Sequence, residues 1–373
     1  MGDTISSICL IVKIQDYQET RPEIGGSSAI EFDAFLRAIH NWRIERKTQF
    51  PHVLVTGATG FLGGHLVRSL AQEGWTIRAI GRKRPVLEKL SGRGIEARAV
   101  DLRDREAVAV ACEGMDLVVH AAALSSPWGH RSDFFDTNVK GTMHVIDGCR
   151  RQGVARLVHV SSPSVTFDGN DVRDATEEQP FPRRFMSHYC RTKKLAEDAV
   201  CGADGLETVI IRPKAIFGPG DTTLLPRLLA AGRAGRLPQI GDGANVVDLT
   251  YVDNVVHALR LALTRPNAAG RIFTITNGQP VRLWDVIRRI LAAAGCSTNG
   301  KRIPYRVAYV VAALMEVRGR LTATEPLLTR YGVALLGRTQ TYCIDAARRW
   351  LDYEPVVTVE EGLERTLASL AYA

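Results

Sequence analysis

The strongest constraint in this chain is one run of residues. The apolar stretch His52 to Thr56 passes directly into Gly57-Ala58-Thr59-Gly60-Phe61-Leu62-Gly63-Gly64, then into a segment with Leu62, Leu66 and Leu70 on one helical face, stopped at Gly74. A strand that feeds a glycine-rich turn and opens a helix is the first half of a βαβ unit. In that unit the first glycine permits a tight turn, the second lets the backbone approach a pyrophosphate, and the third lets the helix close onto the sheet. The free N–H groups and dipole at the helix start attract the anion. Gly57, Thr59, Gly60, Phe61, Leu62 and Gly63 are therefore candidate dinucleotide-binding residues.

The alternation continues. Short β-branched stretches at 52–56, 76–80, 96–100, 116–121, 156–161 and 207–212 are each followed by a helical or loop segment. This pattern predicts an α/β fold, a doubly wound parallel sheet of the Rossmann type, with ligands at the carboxyl ends of its strands. After Arg212 the pattern loosens. Turn signals at Gly218-Pro219-Gly220 and Gly241-Asp242-Gly243 precede helical stretches at 253–265, 282–295, 305–318 and 358–370. The expected organisation is an extension over residues 1–50, a dinucleotide-binding domain over 51–215, and a smaller substrate-binding lobe over 216–373, with some segments returning to the Rossmann body. Within the extension, Phe32, Phe35, Leu36, Ile39 and Trp42 recur at helical spacing and predict one amphipathic helix.

Composition narrows the function classes. The chain has 373 residues, of which 45% are hydrophobic and 24% charged, the make-up of a folded globular protein. Its longest apolar stretches, Ile8 to Val12 and Val307 to Met315, fall short of the ~18 residues needed to span a bilayer. The 7 cysteines include no close Cys-x-x-Cys pair, so neither a disulfide framework nor a metal site is expected. With no secretory leader pattern, a reducing, cytoplasmic location is expected. The net charge of +8 is scattered in ones and twos, which argues against nucleic-acid binding and for the attraction of an anionic small molecule.

The choice of dinucleotide turns on the end of the second strand. An acidic residue there would bind the ribose hydroxyls of NAD; this chain has Ile80-Gly81-Arg82-Lys83-Arg84 instead. Arg82 and Lys83 suit a 2′-phosphate, so NADP(H) is favoured, with NAD(H) as the alternative. Asp101 and Leu102 follow the third strand and are expected near the adenine. Ala121, Ala122 and Ala123 end the fourth, where small side chains let a cofactor lie against the backbone.

Catalytic chemistry is suggested by Tyr189 and Lys193, four residues apart and so on one helical face. A phenol with a pKa near ~10 is a poor base at neutral pH, and a nearby ammonium favours its phenolate. Tyr189 is then expected to exchange a proton with a substrate oxygen while Lys193 lowers its pKa and binds the cofactor ribose.

Together with Asn138-Val139-Lys140-Gly141-Thr142, Ser161-Ser162 and Arg212-Pro213 leading to Gly218-Pro219-Gly220-Asp221, these motifs resemble the extended short-chain dehydrogenase/reductases. Within them the chain is similar to the 3β-hydroxysteroid dehydrogenase/isomerase and NAD-dependent epimerase/dehydratase group, over roughly residues 52 to 370. The resemblance implies a catalytic serine at Ser162, with Ser161 and Ser164 as competitors because Pro163 departs from many members. It also implies cofactor contacts from Asn138 and Pro213. Ser162-Pro163-Ser164-Val165-Thr166 and the segment Asp248 to Asn254 are similar to bacterial 2-alkyl-3-ketoalkanoate reductases and to sterol dehydrogenases.

The implied activity is hydride transfer between a nicotinamide cofactor and a secondary alcohol or ketone on a lipophilic molecule. A 2-alkyl-3-keto acid is expected and a 3β-hydroxysteroid is the alternative. An NDP-sugar epimerase or dehydratase would use the same Ser, Tyr and Lys, and a non-catalytic dinucleotide sensor would keep the fold without them. The continuously apolar 307–315 segment favours a greasy substrate or peripheral membrane contact, or else forms a buried helix. A homodimer is expected.

Overall fold

Seven parallel strands form the central sheet of the computed structural model, which describes residues 51–296 and 301–371. They are β1 (His52–Thr56), β2 (Thr76–Gly81), β3 (Ile95–Ala99), β4 (Leu117–His120), β5 (Arg156–Val160), β6 (Glu207–Pro213) and β7 (Arg271–Ile275). Their spatial order is β7-β6-β5-β4-β1-β2-β3, so the chain reverses direction across the sheet between β1 and β4. Six of these strands fall at the positions expected, within a residue. The seventh comes from the second half of the chain and pairs with β6 through Ile272 and Ile210. The helix expected between Phe32 and Trp42 lies outside the described residues.

Alternation on β1 shows why the sheet is covered twice. Val53 and Val55 enter one core with Leu62, Leu66 and Leu70 of α1 (Phe61–Gln72), whereas Leu54 enters a second core on the opposite face. That second core takes Val145, Ile146 and Cys149 of α2 (Gly141–Gln152) and Val200 of α3 (His188–Cys201). Strands buried on both faces read as continuous apolar runs, as β1 does. Leu66 is wholly buried, and truncating such a leucine to alanine typically costs about 2–5 kcal/mol. The face of α1 also packs α4 (Val252–Thr264).

The lobe is assembled from distant segments. A small sheet has the order Val281–Arg282, Val246–Val247, Gln340–Tyr342, Val172–Ala175, and its last strand comes from between β5 and α3. Beside it α5 (Leu283–Ala293), α6 (Tyr305–Thr322) and α7 (Arg330–Gly337) enclose Trp284, Ile287, Ala308, Ala312 and Val333.

The apolar 307–315 segment is not a buried helix. On α6 the small residues Ala308, Ala312 and Gly319 face inward, while Val307, Val310, Val311, Leu314, Val317 and Leu321 are exposed. The inward face packs through small side chains, so the large ones are left outside. No helix among the described residues is long and apolar enough to cross a membrane.

Candidate active site

The glycine loop stands at the carboxyl edge where β1 and β4 adjoin, the reversal point at which ligands bind in open α/β sheets. Gly57 has φ +73°, and a Cβ there would lie 2.8 Å from the Ala122 backbone, so the loops after β1 and β4 can only pack if residue 57 has no side chain. A Cβ at Gly63 would collide with the Gly57 carbonyl. The first N–H groups of α1 receive no side-chain cap at Gly60, which leaves them for an anion. This cradle fits a pyrophosphate. Ala121, Ala122 and Ala123 border it, half-buried, as does Phe61. Leu62 and Leu102 do not line it with their side chains, because both are in the cores; from them only backbone contacts remain available.

At the ends of β2 and β3 the basic cluster is in place. Gly81 closes β2 against Thr59, with a Cβ there only 2.7 Å from the threonine side chain. Arg82 and Lys83 follow, both exposed. Asp101 is held by Arg103, whose Nη2 donates at 2.6 Å, and this guanidinium, helped by the charge of Arg82, keeps the carboxyl below its ordinary range.

Ser187 caps α3 by accepting the Cys190 N–H at 3.2 Å, which puts Tyr189 in the first turn. The side chains of Ser125 and Ser162 both act on the Tyr189 hydroxyl. Burial, reinforced by Cys190, pushes the phenol up to about 12 despite the two serines, which pull it down. Of Ser161, Ser162 and Ser164, Ser162 is the one that acts on the phenol, while Ser161 and Ser164 have buried hydroxyls without a partner. Pro163 causes no disruption: it opens the one-turn helix Pro163–Val165, which Ser162 caps by accepting the Ser164 N–H at 3.2 Å, and proline suits a first helical position. Ser125 escaped the sequence reading. It sits in the loop after β4, where no spacing or motif marks one serine above its neighbour Ser126.

Lys193 requires a correction. It shares the face of α3 with Tyr189, but its ammonium is turned toward β5, donating to the Val160 carbonyl at 2.7 Å and lying 3.0 Å from Nε2 of His159. The expected lowering of the phenol by Lys193 is absent, because burial dominates Tyr189 and the lysine is engaged elsewhere. Burial also brings Lys193 itself down to about 8, against a small opposing pull from Glu197. Glu197 lies one turn on and is paired with Arg212 through bonds of 2.9 and 2.6 Å, both side chains being almost wholly buried.

Asn138 has a structural part as well. Its side chain accepts the Leu124 N–H at 2.7 Å and donates to the Leu124 carbonyl and to Thr192 Oγ1, each at 3.1 Å. Engaged with protein and buried, its side chain ties the β4 loop to the helix of Tyr189 and Lys193. Beneath it, Thr142 donates to the Asn138 carbonyl at 2.6 Å and so accepts from Nε2 of His120, whose Nδ1 then accepts from Thr56 at 2.8 Å. Pro213 ends β6 at the same carboxyl edge.

The arrangement brings a phenol whose proton is held by burial together with the Ser125 and Ser162 hydroxyls that act on it, a combination suited to giving a proton to a carbonyl oxygen. Residues 54–305 match the 3-beta hydroxysteroid dehydrogenase/isomerase family. A 2-alkyl-3-oxoalkanoate reductase of Stenotrophomonas maltophilia is 38% identical over 86% of this chain and 99% of its own length. A sterol-4-alpha-carboxylate 3-dehydrogenase (decarboxylating) of Mus musculus is 35% identical over 84% of this chain and 90% of its own. Among solved structures, an epimerase of Methanothermobacter thermautotrophicus superposes with a TM-score of 0.71 at 24% identity, covering 88% of this chain and 94% of that one, a likeness of fold.

Proposed function

Since the chain belongs to the 3-beta hydroxysteroid dehydrogenase/isomerase family, we propose that it reduces the ketone of a 2-alkyl-3-keto acid with NADPH, reversibly. It is an NAD(P)-dependent oxidoreductase that interconverts a secondary alcohol and a ketone on a lipophilic substrate. The observation that carries this reading is the likeness to a 2-alkyl-3-oxoalkanoate reductase over 86% of the chain, with Ser162 capping the turn after β5 and Tyr189 in the first turn of α3.

A nicotinamide dinucleotide supplies the hydride when bound along the Gly57–Phe61 cradle. As the carbonyl carbon gains that hydride, its oxygen gains the Tyr189 proton. In the reverse direction the alcohol oxygen returns the proton to Tyr189 as the carbon loses hydride. Ser125 and Ser162 orient the phenol, and they stabilise the charge that develops on either oxygen. Lys193, with two of its three donors engaged by Val160 and His159, has one left for the ribose. Arg82 and Lys83, in place of a ribose-binding carboxylate, support NADP(H) over NAD(H).

The relatives' names share a chemical feature. Both describe an oxygen on carbon 3 with a carboxylate on the adjoining carbon, in one case on an alkyl chain and in the other on a sterol. A sugar nucleotide has no such feature. The exposed apolar stripe of α6 is flanked by exposed Lys301, Arg302, Arg306, Arg318 and Arg320, a combination that suits contact with an anionic lipid surface.

Oxidation of 2-alkyl-3-hydroxy acids, 3β-hydroxysteroids and NDP-sugars with NADP⁺ under one set of conditions tests the reading. The 2-alkyl-3-hydroxy acid is expected to be the preferred substrate. Preference for the steroid moves the assignment to the sterol branch, and epimerisation of a sugar without net cofactor turnover overturns it.

A further inference from the structure

We infer that Lys214 binds the substrate carboxylate, fixing the acid beside Tyr189 so that the oxygen on carbon 3 meets the phenol. This rests on the keto-acid reading above, and on a cluster that the proton and hydride chemistry does not use.

Lys214 directly follows Pro213, at the carboxyl edge of the sheet, and is only 9% exposed. Its ammonium donates to Gln340 Oε1 at 2.6 Å and lies 5.6 Å from the centre of the Tyr342 ring. Among the described residues no carboxylate comes within ion-pair distance of it: Asp248 acts on it from further away, with one carboxylate oxygen taken by the Tyr342 N–H at 2.7 Å. The other oxygen of Asp248 and Nε2 of Gln340 are buried without a partner. A buried ammonium with one neutral acceptor leaves donor capacity unmet, and such groups are costly unless something pairs them.

The cluster follows the strand end beside Ser162: β6 pairs with β5 at Val160 and Ile211, and the Ser161 N–H donates to the Ile211 carbonyl at 2.7 Å, three residues before Lys214. Tyr331 packs with Cys190 in the same apolar cluster as Tyr189. Of the cations buried here, Arg212 is paired with Glu197, and Lys193 is held by Val160 and His159. Lys214 has a single protein acceptor, Gln340 Oε1. A carboxylate on the carbon next to the reacting one arrives at a fixed separation from the phenol, a separation that a single buried cation at this edge of the sheet can read. Burial holds the lysine down to about 8; an arriving anion would favour its charged form.

The test compares a 2-alkyl-3-hydroxy acid with its methyl ester, using NADP⁺, in the parent and in Lys214→Met. The parent should favour the acid, and the variant should lose roughly 10- to 100-fold in kcat/KM on the acid, as expected for a hydrogen bond to a charged group, but only a few-fold on the ester. Equal losses on acid and ester, or no loss on either, overturn the role of Lys214. Should Lys214→Met fail to fold, the parent's own ratio decides, since equal use of acid and ester by the parent also overturns it. A parent that oxidises no 2-alkyl-3-hydroxy acid at all defeats the keto-acid reading itself, a different result from a parent that does so and is indifferent to Lys214.

Discussion

Lys193 and His159 form a closed pair: the ammonium nitrogen lies 3.0 Å from Nε2 of the imidazole, and both side chains are buried to within 2% of full enclosure. The lysine can donate only if Nε2 carries no proton, so the structure demands a neutral His159. Burial first, then the charges of Lys193 and His120, hold its pKa well below the ordinary value. His120, its rings' centroids 5.1 Å from those of His159, is lowered to about 3, mainly by burial.

These depressed histidines make stability depend on pH. Below about pH 6.5 the unfolded chain takes up protons that the folded one refuses, so stability is full above that point and is lost as the pH falls. For His120 the loss between pH 7 and 5 is about 2 kcal/mol at ~1.4 kcal/mol per unit. Urea unfolding at the two pH values should show the parent losing more than His159→Phe, which lacks one of the two groups. Identical losses would mean that His159 is already charged in the fold.

Tyr189→Phe should lower turnover by roughly 10²–10⁴-fold, the usual contribution of a general acid–base group, with NADPH fluorescence showing that the cofactor still binds. Ser125→Ala and Ser162→Ala each remove one of the two hydroxyls on the phenol, and roughly tenfold losses are expected, as for a single hydrogen bond. An inactive Ser164→Ala beside a fully active Ser162→Ala would reject the arrangement proposed here.

At the cofactor corner, the parent should bind NADPH more tightly than NADH, and Arg82→Asp should weaken NADPH by roughly 10- to 100-fold while sparing or improving NADH. Fluorescence titration measures both. Equal binding of the two dinucleotides by the parent contradicts the assignment.

For the surface of α6, co-sedimentation should be seen with anionic phospholipid vesicles and should weaken with salt, since the flanking arginines act through a screened field. Leu314→Glu, which puts a charge in the middle of the exposed stripe, should abolish it. A parent that stays in the supernatant at low salt rules out lipid contact by this helix.

What the sequence determined by itself was whatever depends on near neighbours along the chain. The turn at Gly57, the run of β-branched strands and the shared helical face of Tyr189 and Lys193 are local, and periodicity and glycine chemistry report them directly. Helices expected at 253–265, 282–295 and 305–318 occur at Val252–Thr264, Leu283–Ala293 and Tyr305–Thr322 for the same reason. Tertiary structure decided the rest. Only the packing of β5 against α3 turns Lys193 toward His159, and only the meeting of the β4 loop with α3 brings Ser125 to Tyr189. The direction of α6 is a further case: its large apolar residues face outward because alanines and a glycine suit the close inner contact, a choice invisible in a continuously apolar segment. Lys214 and Gln340 are 126 residues apart. Their bond, like the depressed pKa values of buried histidines and lysines, depends on which distant surfaces exclude water together, and burial of that kind has no sequence period from which it can be read.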